Sequence, residues 1–217
     1  MTADDDLQQP ALTRRGQAKA DRRRQLLQSA ARLIAERGYA GVRLEDLGSA
    51  VGISGPAVYR HFSNKEALLV ELLVDISARL LDGGTDVVES TPDAATALAG
   101  LVEFHLDFAL DESDLIRVQD RDLASLPESA RRQVRQFQRR YVELWVQVLR
   151  EIDPELTETD ARIKAHATFG LINSTPHSAA RTSPARTREV LRRMTFAALT
   201  PGVQPPRARA PHIGSGP

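Results

Sequence analysis

The sequence predicts an all-α protein: a three-helix helix-turn-helix unit followed by a larger helical domain. Three observations carry this. Apolar residues recur at helical spacing, as in Leu26, Ala30, Leu33 and Ile34, and no segment shows the period-two alternation of a half-buried strand. Two short apolar segments meet at a glycine turn, Val51-Gly52-Ile53. Cysteine is absent, which excludes disulfides, thiolate metal sites and cysteine nucleophiles. With 217 residues, 41% of them hydrophobic, the chain can bury a core in one large domain or two small ones.

Met1 to Pro10 is acidic and polar, without the apolar stretch of a secretory signal, and residues 1–18 read as a flexible arm. A helix is expected from Lys19 to Arg37, with Leu27 and Ala31 beside its apolar stripe and Gly38 as a left-handed stop. Two short helices follow, Leu44 to Ala50 and Gly55 to Phe62. Leu44, Leu47, Val51, Ile53 and Val58 are expected to face inward. Gly52 is expected at positive φ, and Ala50 is the small residue where the two helices approach. Ser63-Asn64-Lys65-Glu66 has the form of a capping box and starts a helix from Asn64 to Leu81, which Gly83-Gly84 should end. Further helices are expected over Pro92 to Leu110, Ser113 to Ser125, Glu128 to Ile152, Glu158 to Ala180 and Ala185 to Leu199. The domain reading is 19–65 for the helix-turn-helix, 66–200 for the second domain and 201–217 for a disordered tail.

Formal net charge is zero, from 29 basic and 29 acidic residues, but the distribution is uneven. From Ala11 to Lys65 the basic residues are Arg14, Arg15, Lys19, Arg22, Arg23, Arg24, Arg32, Arg37, Arg43, Arg60 and Lys65, against Asp21, Glu36, Glu45 and Asp46. With a Debye length of about 8 Å in cells, such a local surplus is what a phosphate backbone meets. Ser54 is a natural N-cap and Gly55-Pro56 suits a first helical turn. Small residues at that end leave backbone amides open to a phosphate and allow approach to base edges. Arg14, Arg15 and Lys19 are either a minor-groove arm or a solvated tail.

Gly38-Tyr39-Ala40-Gly41-Val42-Arg43-Leu44-Glu45-Asp46-Leu47, then Val51 to Phe62 ending Tyr59-Arg60-His61-Phe62, then Lys65-Glu66-Ala67-Leu68-Leu69, resembles the TetR family of regulators over residues 20–70. The resemblance implies a homodimer on a palindromic operator in double-stranded DNA, with recognition helices about 34–36 Å apart or somewhat more. It implies DNA contact by Arg43, Ser54, Gly55, Pro56, Tyr59, His61 and Lys65. The alternatives are packing for Tyr59, closing a helix end for His61, a solvated surface for Arg43 and plain helix initiation for the Ser54 turn. The family commonly carries Thr or Ser near positions 42 and 43. Val42 and Arg43 stand there instead, so charge replaces the cap. The resemblance implies that the last two long helices form the dimer bundle, with Ala167, Gly170 and Ser174 on one face of the first suited to close helix–helix packing, and Val190, Met194, Ala197 and Ala198 suited to it on the second.

The second half looks like a subgroup common in actinobacteria that answers to acyl-CoA thioesters. In that reading Phe104, Phe108, Phe137, Tyr141, Trp145 and Phe169 line a small-molecule effector site, their alternative role being core. Arg117, Arg121, Arg140, Asn173 and His177 are the polar candidates, or else a solvated face. Pro176 is expected to kink its helix. His105, His166 and His177 lack paired ligand spacing, so no metal and no cofactor is expected. No membrane segment and no catalytic constellation is visible, which points to a cytoplasmic regulator rather than an enzyme. The rivals are a DNA binder without effector and, further off, a thioester-acting enzyme.

Overall fold

The structure, a computed structural model, describes residues 14–178 and 182–199. The described residues are helical throughout, without strands. They fall into two compact units, meeting between Leu72 and Leu73.

In the first unit α1 spans Arg14–Arg37. It begins within the stretch expected as an arm, so Arg14 and Arg15 are helical rather than extended. Leu26, Ala30 and Ile34 are wholly buried along its inner stripe. Gly38, at φ 79°, stops it and returns its N–H to the Ile34 carbonyl at 2.8 Å. Helices α2 (Leu44–Ala50) and α3 (Gly55–Val58) form the helix-turn-helix, packed on α1 through α2. Helix α3 is shorter than expected, and Tyr59 to Phe62 continue it as hydrogen-bonded turns.

One expectation about the turn holds and one needs correcting. Gly52 does take positive φ, 70°. The close approach, however, falls at Gly48 and not at Ala50, which is exposed. A Cβ at Gly48 would lie 2.8 Å from the Ile53 carbonyl oxygen and 3.0 Å from Val58 Cγ2. Leu44, Leu47 and Val58 are buried as expected, while Val51 and Ile53 are half-buried.

Helix α4 runs Lys65–Glu89 and crosses the unit boundary. Its cap is Asn64, whose Oδ1 accepts the Ala67 N–H at 2.7 Å, so the expected Ser63–Glu66 box is displaced by one residue. Gly83 and Gly84 do not end the helix. A Cβ there would stand 2.4 Å from the Phe104 ring and 2.5 Å from the Tyr141 ring. Each glycine disfavours helix by about 1 kcal/mol relative to Ala, and the aromatic contact with bare backbone offsets it.

The second unit continues with α5 (Ala94–Asp111), α6 (Ser113–Asp122) with a 3-10 turn at Leu123–Ser125, and α7 (Glu128–Ile152). Then come α8 (Glu158–Ile172), the single turn α9 (Thr175–Ser178) and α10 (Pro184–Leu199). Asp93 and Thr157 cap α5 and α8 through their side-chain oxygens. Helix α8 ends at Ile172 instead of running to Ala180, because Asn173 and Ser174 turn the chain. Pro176 sits within the separate turn α9 rather than kinking a continuous helix. Helices α5, α7, α8 and α10 pack around a shared core that includes Leu101, Leu106, Trp145, Ala161, Ala165 and Phe196. The expected tail, residues 201–217, lies outside the described residues. Among the described residues no helix is long and apolar enough to cross a membrane.

Candidate nucleic-acid interface and aromatic cage

The outer edge of the helix-turn-helix is built from the start of α2 and the start of α3. Arg43 is the residue before α2, in extended conformation and exposed. Its backbone N–H donates to Asp46 Oδ2 at 2.9 Å, the acid's half of a capping box, while the half that a hydroxyl at position 43 would supply is missing. This leaves the guanidinium outside the cap. At α3, Ser54 is extended and exposed, with no hydrogen bond from its side chain to the helix. Pro56 is exposed and Gly55 half-buried, so the first turn meets solvent with small groups.

Tyr59 is 49% exposed, and its hydroxyl donates to Glu45 Oε1 at 2.9 Å. That hydrogen bond, followed by the Glu45 charge, holds its pKa above the ordinary 10. The same Glu45 leans over α3, its Cγ 3.2 Å from where a Gly55 Cβ would stand. Arg60, which the sequence reading passed over, is exposed beside Tyr59. Its place in the positive count was visible; its outward direction depended on the turn that follows Val58.

Lys65 is turned to internal work. The Lys65 ammonium donates to the Tyr39 carbonyl at 2.9 Å and lies 4.4 Å from the Tyr39 ring centre. It thereby ties the α1–α2 turn to the start of α4. His61 is half-buried, its Nδ1 buried without a hydrogen-bond partner. Burial lowers its pKa, and the cations Arg23, Lys19, Arg60 and Arg22 lower it further. Arg23 is the residue that spacing did not reveal. Its guanidinium donates to both Glu71 carboxylate oxygens and to the His61 carbonyl, and stacks 4.3 Å from the Phe62 ring centre. One side chain thus joins α1, the end of the recognition segment and α4.

In the second unit the structure gathers Phe108, Tyr141, Trp145, Phe169 and Asn173 around a residue missing from the expected set, His105. Ring centres lie 5.0 Å apart for His105–Phe169, 5.2 Å for Trp145–Phe169 and 5.6 Å for Tyr141–Phe169. His105 Nδ1 is 3.3 Å from Tyr141 Oη, and Nε2 is 3.1 Å from Asn173 Oδ1. Burial pushes His105 down to about 4 and holds the Tyr141 phenol above its ordinary range, so both are neutral near pH 7. The available signal was its register: Leu101, His105 and Phe108 share one stripe of α5. Phe104 packs on Gly83 at the edge of this cage, and Phe137 lies half-buried against the same core.

The polar candidates other than Asn173 do not join the cage. Arg117 donates to the Pro176 carbonyl and fastens α9 to α6. Arg121 pairs with Asp122 at 3.0 Å. Arg140 and His177 are exposed.

A helix-turn-helix unit followed by a separate helical unit with an aromatic, polar-centred interior defines a class of regulatory protein. The profile described as "Bacterial regulatory proteins, tetR family" matches residues 26–72, and "Tetracyclin repressor-like, C-terminal domain" matches residues 91–177. The chain belongs to the TetR family. The transcriptional repressor KstR2 of Mycobacterium tuberculosis is 33% identical over 135 residues, 60% of this chain and 66% of that one. The transcriptional activator FasR of Mycolicibacterium smegmatis is 30% identical over 111 residues, 51% of each chain. The alignments therefore span about half to two thirds of these relatives. The crystal structure of AibR with isovaleryl coenzyme A and operator DNA shares the fold, with TM-score 0.65 at 19% identity over 80% of this chain and 97% of that one.

Proposed function

We propose that the protein is a dimeric transcriptional repressor that binds operator DNA and is released by an apolar acyl effector of the acyl-CoA class. The observation that carries the DNA-binding part is the open start of α3. Ser54, Gly55 and Pro56 meet solvent as small groups, flanked by exposed Arg43, Tyr59 and Arg60. Backbone amides and cations at a helix start suit a phosphate, and small side chains suit close approach to bases. Lys65 serves here mainly by positioning, since its ammonium faces the Tyr39 carbonyl.

The effector part is supported by the aromatic cage and by the relative that binds isovaleryl coenzyme A. Homodimerisation is supported by the outer faces of α8 and α10. Ile163, Val190 and Met194 are 60%, 37% and 50% exposed, and Ala167, Gly170, Ala197 and Ala198 lie exposed along the same two faces. Coupling would run along α4, whose Gly83 and Gly84 touch the rings of Phe104 and Tyr141. A ligand that displaces those rings favours one placement of α4, and it releases DNA only as far as its affinities for the two states differ.

The test is fluorescence anisotropy of the protein on a DNA fragment from its own promoter, between 50 and 200 mM salt. With about 6–10 phosphate contacts, affinity falls by about 10³–10⁵ over that range. Addition of acyl-CoAs lowers the anisotropy further. Salt-insensitive binding, or equal binding to unrelated DNA, refutes the operator reading. Operator binding that no acyl-CoA alters refutes the effector reading alone.

A further inference from the structure

Two charged stripes on the outside of the second unit are unpaired within the chain. On α7, Arg132, Arg135 and Arg139 are exposed and share one face. None makes an ion pair among the described residues. The acids that flank them are engaged elsewhere, Glu128 by Arg131 and Glu143 by Arg162. The Arg131 bond, and after it the fields of Arg132 and Arg135, hold the Glu128 carboxyl below its ordinary range. On α4, Asp82, Asp86 and Glu89 are exposed along one face and make no ion pair among the described residues. The cation next along that face, Arg79, is held by Asp75 and Glu112.

The two stripes match in length and are opposite in charge. In each the outer members stand seven residues apart, about 10 Å along a helix. Within one chain they face away from each other. Helices α4 and α7 touch through Gly84, whose would-be Cβ stands 2.5 Å from the Tyr141 ring. Gly84 lies two residues from Asp82 and from Asp86, and Tyr141 two from Arg139 and nine from Arg132. At about 3.6 residues per turn, both stripes therefore lie on the faces turned away from that contact. A phosphate would satisfy the arginines and leave the carboxylates unanswered. A second copy answers both, and a net charge of zero sets no overall repulsion between copies.

We propose that a second copy of this chain docks here, the α7 arginines of one copy facing the α4 carboxylates of the other. The contact joins unlike faces, so each copy keeps one stripe free for a further neighbour. It lies on other helices than the α8 and α10 faces and does not depend on them. Exposed ion pairs are individually weak and are screened by salt. The contact therefore counts where copies are already held close together, as neighbours along DNA.

Sedimentation equilibrium of the DNA-free protein tests this apart from operator binding. At about 0.1 M salt, where the Debye length is about 10 Å, the weight-average mass of wild type is expected to rise with concentration. At about 1 M salt, where that length is about 3 Å, the rise disappears. Arg132→Glu with Arg139→Glu reverses one stripe, and Asp82→Lys with Glu89→Lys reverses the other. Each pair alone is expected to abolish the rise, because like charges then face each other. All four substitutions together exchange the stripes, return net charge to zero and bring the rise back. An anion site on α7 that serves some other partner would not be rescued by that exchange. A wild-type mass that stays flat at low salt overturns the proposal. So does loss of the rise with only one of the two pairs, or a folded four-substitution variant that stays unassociated. The neutral pairs Arg132→Gln with Arg139→Gln and Asp82→Asn with Glu89→Gln carry the same comparison if a reversal folds poorly. Each is expected to weaken association by about twofold to thirtyfold, and an effect from only one of them overturns the proposal equally.

Discussion

Tyr59 and Glu45 meet on the exposed edge of the helix-turn-helix, and in the DNA-binding arrangement proposed above their hydrogen bond sets a carboxylate beside the phosphates. Phosphate contact by Tyr59 requires that bond to open, and Glu45 repels the same phosphate. Glu45→Gln keeps the shape and removes the charge. It is expected to tighten promoter binding about threefold to tenfold at low salt, with a smaller gain at high salt, measured by anisotropy. Unchanged or weaker affinity would mean that Glu45 itself contacts the DNA favourably. At His105 the prediction concerns stability. Its pKa falls from 6.5 to about 4 on folding, so between those values the unfolded chain binds a proton that the native chain refuses. Stability is therefore full above about pH 6.5 and lost as pH falls toward 4, by about 3 kcal/mol for this one group. Thermal melting from pH 7 to 4 should steepen in that window for wild type and flatten in His105→Gln. An equal slope in both would place the acid sensitivity elsewhere.

At the scale of elements, the two glycines of the helix-turn-helix act by different mechanisms. Gly52 has open space around it and is needed for its φ of 70°. Gly48 sits against backbone, 2.8 Å from the Ile53 carbonyl oxygen to its would-be Cβ. Gly48→Ala should lower stability by about 1–3 kcal/mol and separate α2 from α3, reducing promoter affinity together with Tm. Gly52→Ala should lose about 1–2 kcal/mol with less effect on affinity of the remaining folded protein. Equal affinity losses at matched folded fraction would contradict this distinction. The need for positive φ at Gly52 was legible because a two-helix turn imposes it locally. The role of Gly48 was not, since it arises from a carbonyl five residues on, brought back by the fold. The same logic covers Gly83 and Gly84. Read alone they end a helix, whereas against Phe104 and Tyr141 they let it continue.

For the whole molecule, the exposed apolar faces of α8 and α10 are the test of assembly. Ile163→Asp with Met194→Asp is expected to give a monomer in light scattering, with near-normal helicity and operator affinity lost by more than tenfold, because one half-site remains. A dimer that survives both substitutions would move the interface elsewhere. Read by itself, the sequence determined the helical class, the starts of the long helices from α4 onward to within two residues, the glycine turn and the family, but not where α4 and α8 end. Each follows from short-range periodicity, caps and dihedral demands, which neighbours in the chain impose on one another. Tertiary structure decided which side chains face which. It drew Lys65 inward to the Tyr39 carbonyl, fastened Arg23 across three segments, sent Arg117 to α9, and set His105 among aromatic rings contributed by three different helices. Those pairings join residues about 26–68 positions apart, and they are selected by burial and polar satisfaction in three dimensions rather than by any local pattern.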